Sequence, residues 1–198
     1  MRRIFTEEER LAIGASLQPN RTLWALWAAK EATFKACRKH LTEPIIFAPQ
    51  AFYASTQEGV MCYGPLHCAI QWQITSDYIH CLAVLDPAQK HLFTGWNEVK
   101  VSITRLTDPV DPAIHLTKQE LVSAHSYESR VTRLHAKQFL IEPTLGQKIE
   151  IVRFSLPSKA KKYSPPVLVY QNKVLPHEIS LSHDGQFAAS VVMSTFFL

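Results

Sequence analysis

The sequence predicts an α+β fold of two small halves packed together, each a helical stretch followed by antiparallel strands. Three observations lead there. Helical periodicity and strand alternation follow the order helix, strands, helix, strands along the 198 residues. A proline-marked break, TDPVDPAIH with Pro109 and Pro112, separates the two rounds. The 46% hydrophobic and 19% charged fractions are those of an ordinary globular chain with material for a core. The halves are expected at residues 1–107 and 108–198, alike in element order but without evident sequence identity.

The elements follow in order. Residues 6–17 read as a helix opened by Thr6, with Glu9 three residues on, a capping-box pattern. Pro19-Asn20 breaks the chain, and Asn20 is placed to cap a second helix running to about Lys39. Leu23, Trp27, Lys30 and Phe34 fall at i, i+4, i+7 and i+11, so Lys30 and its neighbour Glu31 border the apolar face. Trp24 and Trp27 read as core. The segments IIFAPQAFYAS, LHCAIQWQIT and YIHCLAVL read as strands, with EVKVSIT a candidate fourth. In the second round residues 117–141 form a long helical stretch, and KIEIVRFS, VLVY, HEISLSH and QFAASVV read as strands. Asp184-Gly185 is a hairpin signal, and Ile179 and Leu181 alternate with Ser180 and Ser182 before it. His183 therefore belongs at the mouth of a tight hairpin.

Composition also excludes. No apolar run reaches the roughly 18 residues of a membrane span, and MRRIFTEEER lacks the apolar core of a signal peptide. Cys37, Cys62, Cys68 and Cys81 do not have zinc-site spacing and read as reduced thiols of a cytoplasmic protein. A net charge of +4 suits an acidic partner but is too weak to indicate nucleic acid. Ser182 has no G-x-S-x-G elbow around it, which argues against a hydrolase triad.

Residues 27–36, WAAKEATFKA, set a carboxylate between two lysines on a half-apolar helix. Taken alone, Glu31 and Lys35 are a surface i, i+4 pair contributing about 0.2–0.5 kcal/mol. Combined with the S-L-S-H strand, the W-x-x-K-E-x-x-x-K helix resembles the 4'-phosphopantetheinyl transferase superfamily. Phe5 and Glu9 of IFTEEE match the F-T-x-x-E segment that precedes the K-E helix in holo-acyl-carrier-protein synthases. Trp27, Lys30, Glu31 and Lys35 match the helix, and Ser180, Ser182 and His183 match the strand. Residues 130–140, RVTRLHAKQFL, resemble the basic helix of the larger, surfactin-type members, with Arg133 and Lys137 as the matches and Arg130 beside them. Two family elements are absent from the sequence. The G-I/V-D stretch that supplies a metal aspartate is expected upstream of IFTEEE or after the S-L-S-H hairpin. The G-K-P element has Ser164-Pro165-Pro166 in its place. The motif order is that of the small synthases, and the long middle segment fits either an insertion or two halves in swapped order.

The resemblance implies a phosphopantetheinyl-transferase-like fold and a magnesium-dependent transfer of 4'-phosphopantetheine from coenzyme A to a serine of an acyl or peptidyl carrier protein. Glu31 is then a magnesium ligand, with Glu9 as the first choice for a second carboxylate and Asp184 as the next. Lys30 and Lys35 neutralise phosphate charge, and Glu31, or a water it orients, takes the serine proton. Arg133, Lys137, Ser182 and His183 hold coenzyme A, with His183, Arg133 and Lys137 on its 3'-phosphate. The run KAKK at 159–162 is a solvated loop or touches the acidic carrier. Two other readings stand beside this one: a catalytically impaired relative that binds coenzyme A or a carrier protein without turnover, and an unrelated α+β interaction domain. Oligomeric state is not legible.

Overall fold

A computed structural model describes residues 1–41, 43, 45–85, 93, 95–106, 111–140, 148–156 and 163–194. The chain forms two compact units, Met1–Thr94 and Gly95–Leu198. Each contains helices and one antiparallel sheet, so the fold is α+β and agrees with the phosphopantetheinyl-transferase-like architecture.

In the first unit, α1 (Glu7–Ala15) and α2 (Pro19–His40) precede β1 (Phe52–Ala54), β2 (Val60–Tyr63), β3 (Leu66–Ile74) and β4 (Ile79–Leu85), a meander in the order β1-β2-β3-β4. The capping box that opens α1 is formed in full. The Thr6 hydroxyl accepts from the Glu9 N–H at 3.2 Å, and Glu9 Oε2 accepts from the Thr6 N–H at 2.9 Å. Pro19 starts α2 with no side-chain cap, so Asn20 lies inside the helix rather than at its cap. Arg38, Lys39 and His40 fill its last turn, where positive charge meets the free carbonyls. One apolar cluster joins Ala29 to Met61, Ile70 and Cys81, and another joins Cys37 to Phe52 and Cys68 under Phe34 and Phe47. Trp27 packs edge-on against Phe47 at 5.6 Å, whereas Trp24 is 55% exposed and is not core.

In the second unit, β5 (Val99–Arg105) comes first, then α3 (Lys118–Ser123), α4 (Tyr127–His135), β6 (Ile149–Val152), β7 (Val167–Tyr170), β8 (Lys173–Asp184) and β9 (Phe187–Ser194). The sheet order is β5-β9-β8-β7-β6. EVKVSIT, expected as a fourth strand of the first half, pairs instead along β9, from Val99 opposite Met193 to Arg105 opposite Phe187. The division of the chain accordingly falls at 94/95, ahead of the expected 107/108. The expected 117–141 helix is interrupted at Ala124 and restarts at Ser126, whose hydroxyl accepts from the Ser129 N–H at 3.1 Å. After α4 the chain passes into a π-helical turn over Ala136–Leu140. Ala136, Ile149, Ile151, Leu168, Ile179 and Val192 form the core. The β8–β9 turn is Gly185-Gln186, one residue later than expected, with Gly185 at φ +53°. Residues 159–162 (KAKK) lie outside the described residues.

Candidate functional site

Glu9 is 4% exposed, and both of its carboxylate oxygens are engaged. Oε2 accepts from the Thr6 N–H and lies 2.8 Å from Lys30 Nζ, while Oε1 accepts from the Ala54 N–H at 3.2 Å. Lys30 is fully buried. Its ammonium also donates to the Pro49 carbonyl at 3.1 Å and to the Phe52 carbonyl, and it lies 5.8 Å from the Phe5 ring. Burial pushes the Lys30 ammonium below its ordinary range, and the Glu9 carboxylate works against that shift. This departs from the expectations for both residues. A carboxylate that already neutralises an ammonium and accepts two N–H groups is a poor cation ligand. An ammonium with three donors and three acceptors has none left for a phosphate.

Glu31 follows Lys30 on α2 and is half-buried. Among the described residues it makes no hydrogen bond or ion pair, so the i, i+4 bridge to Lys35 is not formed. Lys35, one turn on, is also half-buried. Its charge reaches His80 on β4, whose imidazole is pushed down to about 4, first by burial and then by Lys35. Glu31 and Lys35 are thus half-buried one turn apart on α2, while Lys30 of the same helix is locked inside. Among the described residues no group of three or more His, Cys, Asp or Glu is arranged around a metal. Magnesium is commonly held by one or two carboxylates together with substrate phosphates and water, and Glu31 fits that donor set where Glu9 does not.

In the second unit Arg133 and Lys137 are likewise turned inward. Arg133 is fully buried. Its Nε donates to the Ile151 carbonyl at 3.1 Å, one terminal nitrogen donates to the Ser129 carbonyl and hydroxyl at 2.9 and 2.6 Å, and the other donates to the Ser123 carbonyl at 3.2 Å. Burial, with the Arg153 charge, pushes the guanidinium down to about 10, which leaves it charged at neutral pH. Lys137 Nζ lies 3.0 Å from Glu120 Oε2. The two cations expected on a 3'-phosphate are therefore spent on joining α3, α4 and β6. Ser182 is half-buried on β8, and His183 is exposed at its end, opposite Ala188. His183 is within electrostatic reach of Glu128 in the first turn of α4, and no hydrogen bond or ion pair among the described residues joins it to Arg133 or Lys137. Asp184, the alternative second carboxylate, is exposed beside it.

Glu120 is the residue that the sequence analysis passed over. Its Oε2 accepts from the Thr117 N–H at 2.9 Å and meets Lys137, and its Oε1 accepts from the Ile151 N–H at 2.8 Å. A signal was present: LTKQE at 116–120 repeats the apolar-Thr-x-x-Glu pattern of FTEEE at 5–9, and Ala136-Lys137-Gln138 parallels Ala29-Lys30-Glu31. An open apolar cleft of about 590 Å³ at the start of α2, lined by Leu17, Arg21, Leu26 and Trp72 among others, includes none of these residues.

The family model of the 4'-phosphopantetheinyl transferase superfamily matches residues 1–83. The matched segment lies within the first unit. The match takes in Glu9, Lys30, Glu31 and Lys35, whereas α4 and the S-L-S-H strand lie beyond it. No curated protein and no solved structure matches the chain. The match points to phosphopantetheinyl transfer as the general chemistry. No helix among the described residues is long and apolar enough to cross a membrane.

Proposed function

We propose that this chain is a cytoplasmic, magnesium-dependent transferase of the holo-acyl-carrier-protein synthase type. It would move the 4'-phosphopantetheine group of coenzyme A onto a serine of an acyl or peptidyl carrier protein, in fatty acid or polyketide biosynthesis. The observation that carries this reading is Glu31, a half-buried carboxylate without a partner among the described residues, inside the family-matched segment and beside a buried Lys30.

Glu31 and oxygens of the coenzyme A pyrophosphate would hold the ion. When bound, magnesium offsets the negative charge that builds on the transferred phosphoryl group. Lys35 meets the pyrophosphate as a point donor. Glu31, or a water it orients, accepts the proton of the serine hydroxyl as that oxygen bonds to the pantetheine-side phosphorus. The bond from that phosphorus to the bridging oxygen breaks, and adenosine 3',5'-bisphosphate leaves. Arg133 and Lys137 act within the second unit, holding α4 to its neighbours.

The test is mass gain on an apo carrier protein given coenzyme A and magnesium. Glu31→Gln should abolish transfer while stability moves by less than about 0.5 kcal/mol, as for a substitution that breaks no contact. Turnover at the wild-type rate in that variant would remove Glu31 from the chemistry. A second reading, an impaired relative that binds coenzyme A or a carrier without turnover, is favoured by the engagement of both Glu9 oxygens. It predicts binding without mass gain in the unaltered chain.

A further inference from the structure

We propose that the buried Glu9–Lys30 pair is a positioning device for Glu31, an inference that rests on the reading of Glu31 given above. Lys30 immediately precedes Glu31 on α2, so whatever fixes the Lys30 head also fixes the phase and height at which the next side chain leaves the helix. Successive residues turn by about 100° on a helix of 3.6 residues per turn. The acceptors around Lys30 come from three places: Glu9 on α1, Pro49 just before β1, and Phe52 on β1. Glu9 is fastened in turn by the Thr6 and Ala54 N–H groups. Rotating or sliding α2 would break charge-assisted bonds in a site without water to replace them.

The second unit is an internal control. Lys137 meets Glu120 in the same way, and the free Glu120 oxygen takes the Ile151 N–H of a strand as Glu9 takes that of Ala54. Yet the residue after Lys137 is Gln138, an exposed amide. A lysine held like this with no carboxylate after it needs no metal or phosphate to explain its burial. What changes between the units is the group displayed beside the pair, carboxylate in one and amide in the other. Lys30 and Glu9 are thus positioning residues behind Glu31.

The test uses the full chain carrying Glu9→Gln, an isosteric change, or Glu9→Gln with Lys30→Met, which leaves no unpaired buried charge. Three quantities are read: the magnesium concentration for half-maximal transfer to an apo carrier protein, the KM for coenzyme A at saturating magnesium, and amide exchange of residues 28–34 without ligands. Losing the support behind a metal ligand should raise the magnesium requirement about 10–100-fold. Exchange at 28–34 should quicken, and the coenzyme A KM should stay within about two-fold, since no phosphate donor is lost. A raised KM with an unchanged magnesium requirement would return Lys30 to the phosphate and overturn the proposal. So would variants in which exchange and magnesium requirement both stay at wild-type values. If the unaltered chain transfers nothing, the functional reading fails instead. Exchange then decides alone, and wild-type exchange in both variants overturns the device.

Discussion

The two units share one piece of wiring and differ in what they hang on it. In each, a threonine caps a helix, the glutamate three residues on closes the capping box, and that same carboxylate takes a buried lysine and a strand N–H. In the first unit the lysine sits within a regular α-helix and is followed by Glu31; in the second it sits in a π-helical turn and is followed by Gln138. The lysine of the K-E motif and its glutamate are separable: the buried lysine pair is present in both units, and the carboxylate after it in one. A box glutamate normally does no more than accept the N–H of the capping residue. Here it also neutralises a buried cation, which makes its loss far more costly than a cap.

The largest effect should come from breaking the wiring on one side only. Lys30→Met and Lys137→Met each strand a buried glutamate, and each should cost about 3–5 kcal/mol. Amide exchange at Ala54 and Ile151, the strand N–H groups the two glutamates accept, reads the units separately. Equal losses keep the comparison, and a loss in one unit alone breaks it.

Acid should act on both units through histidines that burial keeps neutral. His80 is pushed down to about 4 and His135 is also lowered, so between about 4 and the ordinary 6.5 the unfolded chain binds more protons than the folded one. Stability should therefore fall as pH drops through that window, by about 1–3 kcal/mol for His80. His80→Gln should flatten the pH dependence of first-unit exchange and leave that of the second unit alone. An unchanged slope in the first unit would show that His80 is not the group responsible.

Smaller still are the caps. Thr6→Ala and Thr117→Ala each remove a hydroxyl accepting a glutamate N–H at 3.2 Å, and each should cost about 1 kcal/mol in denaturant midpoints. A much greater cost at one threonine would mean that the boxes are not equivalent.

The smallest expected change sharpens the comparison most. Gln138 is exposed, so Gln138→Glu should move stability by less than about 0.5 kcal/mol. Transfer activity and magnesium requirement should stay as they are, because a carboxylate beside Lys137 lacks Lys35's counterpart. A gain in activity would show that the second unit keeps a working display.

How much of this was legible in the sequence follows from the range of each signal. The capping box at Thr6 and the amphipathic face of α2 are local, and both were readable. The β2 strand VMCY was not, because it is four residues long and buried on successive positions, which leaves no alternation to see. EVKVSIT was readable as a strand, but its pairing with β9 depends on residues far along the chain. The break between α3 and α4 was signalled only by Ser126, a weak cue inside a polar helical stretch. For the site, residue types and spacing pointed to Glu31 and Lys35. They could not separate these from Glu9, Lys30, Arg133 and Lys137, since an inward-facing charge and a surface charge read alike until their distant acceptors are known.

The placement of the thiols has a practical consequence. All four cysteines, Cys37, Cys62, Cys68 and Cys81, are buried and unoxidised in the first unit, and the second unit has none. Burial pushes the Cys81 thiol up to about 12 and raises that of Cys62, so these two remain protonated as well as shielded at neutral pH. An alkylating reagent added to the native chain is therefore a clock for one unit alone. Modification there records how often the Glu31-bearing helix parts from its sheet, while opening of the other unit passes unregistered.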